Sequence, residues 1–171
     1  MLATPFAVLL LFASPALAQT PSTRPSSEDQ TFVMKAAKAG QAEVELATLA
    51  QKKATTEQAR TLASQLRTDH ERANAELMEI ARRKGIAADA SPSEDMRQAA
   101  TKLNDVTGAS FDAAYTDQMV QDHQAAVQLF EDYSHTGNDP DLKAFAAKAL
   151  PTLRHHLEMA QQAHGSAPPT R

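Results

Sequence analysis

The chain has 171 residues, with no cysteine, no tryptophan and only five glycines. Without cysteine there can be no disulfide, thiolate metal ligand, cysteine nucleophile or thiol for a lipid anchor. Long apolar runs are missing too. The run Phe6–Ala13 is too short for a bilayer, which takes about 20 residues, and no later segment is apolar enough to cross. There is no excess of positive charge: the formal net charge is -4, which argues against a dedicated nucleic-acid binder, since such proteins show a basic face. No glycine-rich phosphate loop, nucleophile elbow or HExxH motif is found, so the sequence identifies no catalytic residues and no organic-cofactor site. Alanine is abundant instead. With so little glycine and aromatic content, this predicts an all-α chain rather than a sheet.

Residues 1–18 carry no charged side chain and close on Ala16-Leu17-Ala18, the small-x-small pattern of a signal-peptidase site. The reading is a signal peptide cleaved near Ala18/Gln19, giving a periplasmic or secreted protein with no membrane span after cleavage. Residues 19–27, polar and proline-rich, read as a disordered linker. The domain is expected over 28–164 and a frayed tail over 165–171. About 150 residues are enough for one core.

Four long amphipathic helices are expected. The first runs from about Glu28 to Lys53, capped by Ser26 or Ser27, with apolar positions Phe32, Ala36, Leu46 and Ala50 at helical steps. The second runs from Thr56 to Lys84, with Thr55 and Gln58 as a capping-box pattern and Gly85 as its stop. The third begins after Ser110 and ends near His135. The fourth starts at Asp139-Pro140, a cap followed by proline at the first helical position, and Pro151 should kink it. A shorter helix, opened by Ser91-Pro92 and ending near Val106, lies in the long connection. Two long helical hairpins joined in this way predict a ferritin-like four-helix bundle with one crossover.

Each long helix carries one polar residue in its apolar stripe: Glu43, His70, His123 and His156. Counted from the connecting turns, the members of each hairpin pair differ by about 4–6 Å in height, about one helical turn. A buried carboxylate or imidazole is unfavourable unless it is paired, hydrogen-bonded or bound to metal. Three imidazoles and a carboxylate form a ligand set for a divalent transition metal such as zinc, copper or iron. Asp69 and Asp122 each precede a histidine and are placed to act as hydrogen-bond acceptors behind it or as extra ligands. Tyr115 lies two turns before His123 and faces the same interior. Asp132/His135, His155 and His164 read as solvated surface or tail.

The chain resembles the exported bacterial proteins grouped as domain of unknown function 4142, which are placed with ferritin-like folds. The residues that carry the resemblance are Gly40-Gln-Ala-Glu43, Asp69-His70-Glu-Arg-Ala-Asn74, Phe111-Asp-x-x-Tyr115, Val120-Gln-Asp122-His123 and Leu150-Pro151-x-Leu153-x-x-His156. The resemblance covers about residues 28 to 163. The resemblance implies an exported ferritin-like bundle and supplies no activity. The chain has no Glu-x-x-His pair, so it departs from the di-iron pattern, and fold alone does not confer ferroxidase chemistry.

Two functions compete at this level. One is a metal-binding bundle with a sequestration or stress-linked role. The other is a non-catalytic structural or stress-protective envelope protein whose polar core is a metal-free hydrogen-bonded network. A third and lesser reading is a bundle loosened by acid as its buried imidazoles charge.

Overall fold

The computed structural model describes residues 24–166, so the expected leader, most of the linker and the last five residues of the expected tail lie outside the described residues. Five helices make up the fold: α1 (Ser27–Lys53), α2 (Glu57–Lys84), α3 (Glu94–Asp105), α4 (Gly108–Thr136) and α5 (Pro140–Gly165). No strand occurs among the described residues. No described helix is long and apolar enough to cross a membrane.

The helix starts follow from local chemistry. Ser26 caps α1 in a reciprocal box with Asp29, whose carboxylate accepts from the Ser26 amide. Asp139 caps α5 ahead of Pro140. Gly85 ends α2 in the left-handed conformation, φ 68°, and lets the Ile86 amide reach back to the Ala81 carbonyl. Three starts differ from the sequence expectation. Helix α4 begins at Gly108, three residues before the start expected past Ser110, behind Thr107, whose side chain makes no capping hydrogen bond. Thr56, not Thr55, caps α2, because Asp112 takes both the amide and the hydroxyl of Thr55. Ser93, not Ser91, caps α3, because the Ser91 amide closes a turn onto Asp89. Helix α5 continues through Pro151, which sits on its exposed side.

α1 packs along α2 and α4 along α5, with lighter contact between α2 and α5 and between α1 and α4. End contacts give the directions. Phe32, near the start of α1, stacks on Tyr133 near the end of α4, with ring centroids 3.8 Å apart. Lys84, at the end of α2, pairs with Asp139 and Asp141 at the start of α5. Asp112, near the start of α4, accepts from Thr55 and Thr56 at the α1–α2 turn. Neighbouring long helices are therefore antiparallel, while α2 and α4 run the same way. Helix α3 crosses the α1–α4 side.

The core falls into two apolar clusters. One, around Phe32, Leu77, Phe130, Tyr133 and Phe145, fills the end where α1 and α5 begin. The other, around Leu46, Leu62, Leu66, Phe111, Tyr115 and Met119, fills the opposite end. The polar stripe residues lie between them along every long helix.

Candidate functional site

Helical periodicity turns Glu43 on α1, His70 on α2, His123 on α4 and His156 on α5 inward, and all four are buried. The structure brings three of them together: a ligating atom from each of His70, His123 and His156 lies within 4.8 Å of the others. Their ring centroids stand 5.3–5.5 Å apart. Three buried histidines this close could hold a metal ion.

The hydrogen bonds assign the protons. Nδ1 of His123 lies 2.9 Å from the Met119 carbonyl oxygen. A carbonyl only accepts, so Nδ1 carries the hydrogen and Nε2 presents a lone pair. That Nε2 lies 3.4 Å from Nε2 of His70. Nε2 of His156 is 3.0 Å from Oδ2 of Asp69 and donates to it, which leaves Nδ1 of His156 buried with no hydrogen-bond partner. Asp69 is itself held by Gln65 and Arg72. A carboxylate on one imidazole nitrogen is the arrangement that orients a metal-ligating histidine through the other.

Burial makes these imidazoles hard to charge. His70 is pushed down to about 3 by burial and by the facing His123 and His156. His123 is pushed down to about 4 by burial and His156. Burial lowers His156 as well, against the opposing pull of Asp69. All three are neutral at pH 7, the protonation state a metal requires.

Glu43 sits beside this imidazole layer and not within the cluster of three. Its Oε1 is 3.9 Å from Nδ1 of His123, the nitrogen already turned to Met119. Its Oε2 has no partner. Burial, with Asp122 adding to it, raises the Glu43 carboxyl well above its ordinary value. Asp122 is half-buried, accepts from Gln118, and is raised by burial. The Tyr115 hydroxyl is buried without a partner, and burial, then Glu43, raises it. His135, His155 and His164 lie exposed.

Three supporting groups escaped the sequence reading. Gln65 and Arg72, four before and three after Asp69, are signalled by helical spacing alone. The Met119 carbonyl, one turn before His123, is a backbone group and leaves no mark in the residue types.

No curated protein matches the chain. Among solved structures it is similar to the crystal structure of a DUF305 fragment from Deinococcus radiodurans. That match has a TM-score of 0.73 and 14% identity, over 83% of this chain and 98% of that one. At this identity the likeness shows a shared fold and nothing more. The model of the family described as a domain of unknown function, DUF4142, matches residues 14–163, and the chain belongs to that family.

Proposed function

We propose that this protein is an exported, ferritin-like helical bundle that binds a divalent transition metal, zinc, copper or iron, through His70, His123 and His156. Export rests on the uncharged leader and its Ala16-Leu17-Ala18 close. The ferritin-like arrangement is supported by two antiparallel hairpins whose single long connection, carrying α3, leaves α2 and α4 running the same way. Sequestration of the metal, or a stress-linked role built on it, suits a site with no catalytic side chains assigned to it.

The observation that carries the reading is the meeting of three neutral, buried imidazoles from three different helices, with Nδ1 of His156 left unpartnered. In this reading Nε2 of His70, Nε2 of His123 and Nδ1 of His156 are the ligands. Asp69 and the Met119 carbonyl fix two of the rings. Glu43 is the acid beside them, and Asp122 and Tyr115 lie behind it.

A metal-free polar core is the competing reading. It is favoured by the direct contact between His70 and His123 and the His156–Asp69 hydrogen bond, which satisfy several of these groups without an ion. Elemental analysis of untagged mature protein separates the two. Near-stoichiometric metal in the wild type and none in the His70→Ala/His123→Ala variant is the expected result. Absence of metal from both, with no uptake when zinc, copper or iron is added, would make the core a structural network.

A further inference from the structure

A cavity of about 580 Å³ opens beside the imidazole layer and reaches from it to the surface of the bundle. It exists because small residues stand where larger ones would close the core: Ala39, Ala42, Ala73, Ala126 and Ala149 line it from all four long helices. Volumes of ~300–1,000 Å³ are those of small-molecule sites.

Its two ends differ. At one level it is lined by His70, His123 and His156, with Glu43, Asp69 and Asp122. One to three turns away, toward the start of α1, the lining is Leu77, Phe130, Phe145 and Leu153, which belong to the first apolar cluster. Lys35, Lys38 and Lys148 stand at its margin. Lys38 pairs with Asp89 and Lys148 with Glu76. Two buried polar atoms on the lining side chains, Nδ1 of His156 and Oε2 of Glu43, lack partners.

We propose that the cavity binds an unbranched aliphatic monocarboxylate, its carboxylate on a metal held by the three imidazoles and its chain along the apolar half. The inference rests on the metal reading above. A dication held by three neutral nitrogen donors keeps its full charge and an open position, and it favours an anionic oxygen donor there. The apolar walls reward a hydrocarbon body.

The test uses the full mature chain, zinc and octanoate, by titration calorimetry. Zinc is added first, to wild type and to Ala39→Phe and Ala149→Phe, which fill the cavity from α1 and from α5 without touching an imidazole. One zinc per chain in all three shows that the site and the fold are intact. The zinc-loaded wild type should then bind octanoate at least about tenfold more tightly than the metal-free chain, and either Phe variant should lose at least about tenfold. Zinc uptake without octanoate binding overturns the proposal and leaves the metal reading standing. So does octanoate binding that is indifferent to zinc or to both Phe variants. Failure of the wild type to take up zinc overturns the metal reading itself, and is seen before octanoate is added.

Discussion

Asp112 shows how one side chain can join three helices. Its carboxylate accepts from the Thr55 and Thr56 amides and the Thr55 hydroxyl, so the α1–α2 turn is fastened to the start of α4. Burial disfavours its charge, but these hydrogen bonds outweigh burial and hold the carboxyl below its ordinary value. Asp29 does the same at the other end, where donors from Tyr133, Ser26 and Asp139 outweigh burial. A depressed native value means the folded state releases its proton more readily than the unfolded chain. The resulting stability is complete above the ordinary carboxyl value of 3.8 and is lost as pH falls from there through the native value. The three buried imidazoles, held below their ordinary 6.5, already lower the urea midpoint as pH falls below about 6.5, and these two carboxylates should add a further fall below about 4. In Asp112→Asn the midpoint should be lower at neutral pH and its acid slope shallower. Equal slopes in the two proteins would count against this role.

At the scale of the element, helix ends are set by few atoms. Gly85 has φ 68°, and a Cβ there would meet nothing within 4 Å, so a substitution is opposed by backbone strain alone. Gly85→Ala should cost about 1 kcal/mol in chemical unfolding, with no change in metal content. A neutral result would mean that the end of α2 relaxes into another cap. The helices themselves were legible in the sequence, because their stripes repeat at steps of three and four and because serine, aspartate, proline and glycine punctuate them. The one-residue shift at Thr56 and the later start of α3 were not. Each depends on a competing partner, Asp112 or Asp89, that takes the group local capping rules would use. For Asp112 that partner is distant in sequence, and its arrival depends on tertiary packing.

At the scale of the whole molecule, the imidazole layer interrupts a core that is otherwise apolar at both ends. Such a layer is poorly packed and holds unpartnered polar atoms, so an ion bound there should add directly to the stability of the native state. With zinc at about 100 times its dissociation constant the gain is about 2.7 kcal/mol, seen as a rise of several degrees in Tm. The His70→Ala/His123→Ala variant should show no such rise. An unchanged Tm in the wild type at every zinc concentration would favour the metal-free network.

The sequence alone determined that the chain is helical and roughly where each helix lies, because capping and hydrophobic period are local properties. It also picked out Glu43, His70, His123 and His156, because a polar residue on an apolar stripe is visible without coordinates. Only tertiary structure decided that the three imidazoles converge while Glu43 stands on the Nδ1 side of His123, since side-chain direction depends on how each helix is rotated against its neighbours. Tertiary structure also decided that Asp69 of α2 serves His156 of α5, and that scattered alanines on four helices add up to one cavity. A void belongs to no single residue: it is what remains when helices meet at a spacing set by larger side chains above and below.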